Sequence, residues 1–163
     1  MTTASQAVPS NDTVTALVKD DDLPWIPFAP YSDQVFMKYL KLDPVHGEIV
    51  LKMKFPPGVQ LPTHHHTGNV IGYTIKGAWK YIEHDWVSEA GDTVYETAAS
   101  SHTPQSVGEE EAEVFFIVVG ELLFLDEDGN VAAVENWKTS LDRYRAHCEA
   151  NGIEPQDLTS HEG

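Results

Sequence analysis

The chain has 163 residues, 41% of them apolar, with 26 acidic side chains against 10 basic ones and a formal charge of −16 at pH 7. That length suits one domain with one substantial core, and the negative charge repels phosphate backbones and anionic lipid, so neither nucleic acid nor a membrane surface is expected as a partner. Cys148 is the only cysteine, which excludes an internal disulfide; with no run approaching a membrane span and no secretory leader pattern, a cytoplasmic protein is expected.

Residues 1–22, MTTASQAVPSNDTVTALVKDDD, are rich in Ser, Thr and Asp and carry no apolar period, which predicts a flexible N-terminal arm. The domain itself is expected over residues 23–152. VFMKYLKL (35–42), the turn DPVHGE and EIVLKMKF (48–55) read as strand, turn, strand. In the second strand Ile49, Leu51, Met53 and Phe55 alternate with Val50, Lys52 and Lys54, the period of two that buries one face.

LPTHHHTGN (61–69) follows. In extended chain alternate side chains share a face, so His64 and His66 point together and His65 points away. Two imidazoles need at least one further ligand to hold a metal, and His102, in ETAASSHTP, is suited to supply it. The plain alternative is a polar edge strand whose imidazoles face water.

Further strands are expected at NVIGYTIK, AWKYIEHDW, DTVYET and EVFFIVVG, and LLFL and VAAV flank a DEDGN hairpin turn. DEDGN lacks the ligand spacing of an EF-hand loop. Short strands at such even, turn-punctuated spacing belong to an antiparallel sandwich or barrel. Trp79, Tyr81, Trp86, Tyr95, Phe115 and Phe116 lie on these strands and are mostly expected in the core. A single helix is expected from Asn136 as N-cap, with Trp137, Leu141, Tyr144 and Cys148 at helical spacing and Asn151-Gly152 closing it. Residues 153–163 are expected to form a mobile tail.

The glycines frame the histidines. Gly58 precedes His64 by five intervening residues, His66 and Gly77 follow at the right interval, and Gly91 precedes His102 by ten. This spacing resembles the two motifs of the cupin superfamily, which implies an all-β, double-stranded β-helix (jelly-roll) barrel, here with a C-terminal helix. The sequence departs from the motifs at Val70, where a glutamate ligand is expected, and at Thr97, Ala99 and Ser106 in place of Pro, Gly and Asn. A three-histidine site of His64, His66 and His102 is what remains. Three neutral ligands leave a divalent ion its full charge, which favours anionic, chelating oxygen ligands. Glu96, six residues before His102, is a candidate to orient an imidazole or take a substrate proton, against the alternative that it faces solvent on its strand.

DLPWIPFAPYSD, THHHTGNVIGYTIKGAWKYIEHDW, AGDTVYETAASSHTP and VENWKTSLDRYRAHCEANGIEP together resemble the cupin family named after 2,4'-dihydroxyacetophenone dioxygenase, and more distantly the acetylacetone-cleaving dioxygenase. The resemblance implies a non-haem Fe(II) dioxygenase that uses O2 to cleave the carbon–carbon bond beside a carbonyl, turning an aryl hydroxy-ketone into an aromatic acid and formate. His64, His66 and His102 would carry the metal and Glu96 would handle the proton. Zn, Ni, Mn or Cu are alternative occupants. A β-diketone or another chelating oxo compound is an alternative substrate. A non-catalytic zinc-holding sensor, as in an anti-sigma factor, is the alternative from another class, although little chain flanks the barrel for that role. Fold analogy suggests a homodimer or homotetramer, with VFMKYLKL offered as the pairing edge.

Overall fold

The structure is a computed structural model and describes residues 16–160. A short 3-10 turn at Asp20–Asp22 leads into β1 (Ile26–Pro27), β2 (Phe36–Asp43), β3 (Glu48–Phe55), β4 (His64–His66) and β5 (Val70–Lys76). Then come β6 (Ala78–Tyr81), β7 (Ser88–Glu89), β8 (Thr93–Glu96), β9 (Ser101–His102) and β10 (Pro104–Val107). β11 (Ala112–Val119), β12 (Leu122–Leu125), β13 (Val131–Glu135) and one helix, α1 (Trp137–Asn151), complete the order.

One six-stranded sheet runs β1-β2-β3-β11-β5-β8; a three-stranded sheet, β10-β6-β7, and a four-stranded one, β13-β12-β4-β9, build the other side. Every pairing is antiparallel. The jelly-roll barrel expected from the glycine and histidine spacing is therefore present, with its single helix. In β3 the alternate residues Ile49, Leu51, Met53 and Phe55 face one core with Val114, Phe116 and Val118 of β11, as the period of two requires.

Two motif positions show how local backbone fixes the strand ends. Gly77 has φ +68°, and a Cβ there would lie 2.5 Å from the Glu111 carbonyl oxygen, so only glycine fits between β5 and β6. At position 99, where the motif has glycine, Ala99 keeps a left-handed φ of +64° just ahead of β9. Ser106, standing for the motif asparagine, still braces the loop before the histidines: its Oγ donates to the Pro56 carbonyl at 2.6 Å and accepts from the Val59 amide at 2.9 Å.

The helix starts on a capping box. Asn136 Oδ1 accepts from the amides of Lys138 and Thr139, and Thr139 Oγ1 accepts from the Asn136 amide. Gly152 ends it in the left-handed conformation. Leu141, Tyr144 and Cys148 are buried, as their spacing predicts, and Trp137 packs at the edge of the core. What the spacing does not predict is the ion pair beneath them. Arg143 grips the buried Glu135 carboxylate with both guanidinium nitrogens, donates to Tyr39 Oη at 2.7 Å and lies over the Phe28 ring.

The chain's margins make contacts that bear on the expected arm, tail and pairing edge. The arm lies, for residues 1–15, outside the described residues; the part that follows is pinned by Asp20, whose carboxylate pairs with Lys38 at 2.9 Å and with Lys52. The expected tail folds back as far as residue 160: Leu158 is buried and its carbonyl accepts from the Leu42 amide at 2.9 Å. One apolar side chain among polar neighbours was enough to anchor it. In consequence the edge of β2, expected to be free for pairing between copies, already carries β1 at Phe36 and Met37 and the C-terminal segment at Leu42.

Candidate metal centre

β4 and β9 lie side by side with His64 opposite His102. The alternation in β4 buries His64 and His66 and leaves His65 half-exposed, bonded through Nδ1 to Ser101 Oγ. One ring nitrogen from each of His64, His66 and His102 lies within 4.8 Å of the others, all three side chains being buried. The polar-edge alternative is thereby removed.

Burial first, and then the two neighbouring imidazoles, push the His64 pKa down to about 3, so its ring is neutral at physiological pH. Its Nδ1 faces the Pro62 carbonyl at 3.2 Å, which leaves Nε2 as the free donor. His102 is held by stacking on Tyr81, with ring centroids 3.8 Å apart.

Glu96 does not face solvent. It is buried and sits directly across the β5–β8 ladder from Val70, the position where the motif expects a carboxylate. A carboxylate absent from one strand is thus supplied by its partner strand. Its Oε2 lies 3.1 Å from His66 Nε2 and 3.0 Å from His102 Nε2, while Oε1 accepts a short hydrogen bond from Tyr81 Oη. Burial acts to raise the Glu96 pKa, and the two imidazoles overcome it, holding the carboxyl below its usual range. Burial and this carboxylate push the Tyr81 hydroxyl well above 10. Position 70 thus carries no carboxylate, and Glu96, the candidate to orient an imidazole or take a proton, lies beside the histidines.

Behind the histidines a second set of contacts braces both ligand-bearing strands. Glu83 accepts from the Thr103 amide at 2.9 Å and from Thr103 Oγ1 at 2.7 Å, and Thr103 Oγ1 meets Thr63 Oγ1 at 2.7 Å. Thr103 follows His102 and Thr63 precedes His64. Tyr81 could have been flagged from the Trp79–Tyr81 alternation of β6. Glu83 could not, because it acts from a loop with no periodicity to place it.

Among the described residues, three buried side-chain polar atoms have no hydrogen-bond partner: His66 Nδ1, Glu96 Oε2 and His102 Nε2. Glu96 Oε2 approaches His66 Nε2 at 3.1 Å and His102 Nε2 at 3.0 Å, the close, charge-linked contacts of an ion-binding cluster. Native interiors leave few such atoms without a reason. Three imidazoles brought together, with unsatisfied atoms among them, fit a divalent transition metal.

A family model described as the ChrR cupin-like domain matches residues 13–123. The chain belongs to that family. Among solved structures, this cupin is 54% identical to an RmlC-like cupin protein from Ralstonia eutropha, with a TM-score of 0.87 over 91% of this chain and 96% of that one. A second Ralstonia eutropha protein, of unknown function with a cupin-like fold, is 25% identical with a TM-score of 0.81, covering 88% and 91%. An acetylacetone dioxygenase from Acinetobacter johnsonii shares the fold at 19% identity, with a TM-score of 0.71 over 90% and 99%. A search of curated proteins returns no match to this cupin.

Proposed function

We propose that this cupin is a non-haem iron(II) dioxygenase that breaks the carbon–carbon bond beside a carbonyl, acting on an aryl hydroxy-ketone of the 2,4'-dihydroxyacetophenone type. The ketone and O2 would give an aromatic acid and formate: the bond between carbonyl and carbinol carbons breaks, and each carbon gains one oxygen atom. The observation that carries the reading is the convergence of three buried imidazole donors beside a carboxylate oxygen with no partner. The fold shared with the acetylacetone dioxygenase supports it, as does the resemblance of the motif-bearing segments to the hydroxy-ketone enzyme.

In this proposal His64, His66 and His102 hold the iron. Bound iron would supply the redox partner for O2 and a Lewis acid for the ketone and hydroxyl oxygens. Glu96 Oε2 takes the proton that the chelating ketone gives up, and the hydrogen bond from Tyr81 to Oε1 keeps the other oxygen turned toward the histidines. Phe124, Leu122, Val70 and Phe116 line the small space on the barrel side of the histidines and give it a largely apolar wall.

The test is anaerobic reconstitution with iron(II), then O2 uptake on adding aryl hydroxy-ketones and, in parallel, β-diketones, with the acids and formate quantified. Equimolar O2 consumption and formate release from the hydroxy-ketone is the expected result. A second reading, a zinc-holding sensor, is favoured by the matching family being the ChrR cupin-like domain. Tightly held zinc, and no O2 consumed by the iron-loaded protein with either ketone class, would replace the first reading with the second.

A further inference from the structure

Two spaces of very different size meet at Glu96 and Tyr81. The first, inside the barrel, has a volume of about 50 Å³ and walls of Met, Leu and Phe side chains. It has room for a water or two, far below the roughly 300–1,000 Å³ of small-molecule sites. The second, a basin on the outer side, has a volume of about 550 Å³ and reaches His102 as well as Glu96 and Tyr81. An aromatic ketone fits only the second.

Trp86 gives that basin a fixed wall. Its indole stacks on His84, with centroids 5.4 Å apart and planes at 16°, and stands edge-on to Trp79 and Tyr81 at 5.9 and 5.6 Å. Three neighbouring rings therefore set its orientation, yet it remains 37% exposed. A large aromatic side chain held in place and left open to solvent offers a preorganised stacking surface. Tyr95, 67% exposed, adds a second ring beside Glu96. The charge of the basin narrows what can stack there. Asp92 and Glu96 line it, and among the described residues no lysine or arginine does. A negatively charged substituent on the ring would be repelled there, whereas a neutral ring would not.

We propose that this basin is the docking site for the neutral aromatic ring of the substrate, with Trp86 as its principal contact and the ketone end directed to the Glu96–His102 side. The inference rests on the aryl-ketone reading above and deepens it. Tyr81 lies between dock and site, 3.8 Å from the His102 ring and 5.6 Å from Trp86, so a single-ring ketone spans the distance.

The experiment uses the full chain loaded with zinc, which binds without turning the ligand over, and titrates it with 2,4'-dihydroxyacetophenone and hydroxyacetone by calorimetry. Trp86→Ala should weaken binding of the aryl ketone about tenfold while leaving hydroxyacetone within about twofold. Trp86→Leu, which keeps bulk against Trp79 and Tyr81, should give the same pattern and guards against a folding defect. Equal affinity of wild type and both variants for the aryl ketone would overturn the proposal. Steady-state assays on the iron-loaded protein separate this failure from that of the reaction. If no ketone supports O2 uptake but zinc-loaded binding still depends on Trp86, the dock stands without the reaction; if O2 uptake proceeds with an unchanged KM in the Trp86 variants, the reaction stands and the dock falls.

Discussion

Two buried carboxylates border the interior of this barrel, and they are treated in opposite ways. Glu135 is saturated: Ser140 Oγ donates to Oε1 at 3.0 Å and Arg143 engages both oxygens. Glu96 has Tyr81 on one oxygen and, among the described residues, the imidazoles of His66 and His102 near the other. A carboxylate whose hydrogen-bonding capacity is spent on its own chain joins a helix to a barrel. One whose second oxygen faces only the imidazoles of the histidine cluster is placed for chemistry there.

The comparison breaks most visibly at the histidines. His102→Ala should lower metal affinity by more than ~100-fold, beyond what loss of an outer partner costs, and abolish O2 uptake, with metal content by mass spectrometry as the readout. Retained metal at wild-type stoichiometry would show that the imidazoles do not share an ion. Glu96→Gln comes next, because it keeps the shape and removes the proton acceptor. Turnover should fall by roughly 10²–10⁴ while metal content stays close to one per chain; wild-type turnover would leave Glu96 without a role in proton handling.

At the saturated carboxylate the expected effect is on folding alone. Arg143→Ala strands a buried Glu135 and should cost about 3–5 kcal/mol in chemical denaturation. Metal affinity of the folded fraction should be unchanged, and a marked loss of it would show that the two carboxylates are not separate devices. Glu83→Ala tests the brace behind the histidines. Losing its bonds to Thr103 should weaken metal binding by about 10–100-fold with little change in unfolding, and Glu83→Gln, which retains one acceptor, should recover part of that loss.

The same contrast explains how much the sequence disclosed. Period-two alternation gave β3 and β11 nearly to the residue, and helical spacing with Asn136 and Gly152 gave α1, because burial on one face leaves a regular trace in the chain. The histidine cluster was legible through glycine spacing, which fixes where the strands turn. Partners joined across a ladder or through a loop left no such trace. Glu96 was visible as a residue, but its place opposite Val70 depends on β5–β8 register. Glu83 reaching Thr103 and Leu158 capping the edge of β2 depend on tertiary closure. The extent of β6 was also overread: AWKYIEHDW continues the strand pattern, but pairing with β10 ends at Tyr81, and the chain turns so that Trp86 comes back against Tyr81 and Trp79. Trp86 and Tyr95, grouped with core aromatics by composition, therefore stand outside.

The smallest effect expected is a pH dependence in the metal-free chain. The His64 pKa is pushed from 6.5 to about 3 on folding, so between those values the unfolded chain binds a proton that the folded chain refuses. Stability is then present above pH 6.5 and is lost as pH falls toward 3, at no more than about 1.4 kcal/mol per pH unit. Glu96, whose carboxyl is held below its usual range, adds a loss of the same sign only at lower pH, below 4.5, so a comparison of pH 7 with pH 5.5 lies outside its window. Urea midpoints of the metal-free protein should fall between those two pH values, and His64→Gln should flatten the fall. Should the variant keep the full wild-type slope, the proton is being taken up elsewhere, and His64 is not held neutral by burial. With zinc bound the slope should steepen instead, because each proton must then displace an imidazole from the ion before the chain can unfold.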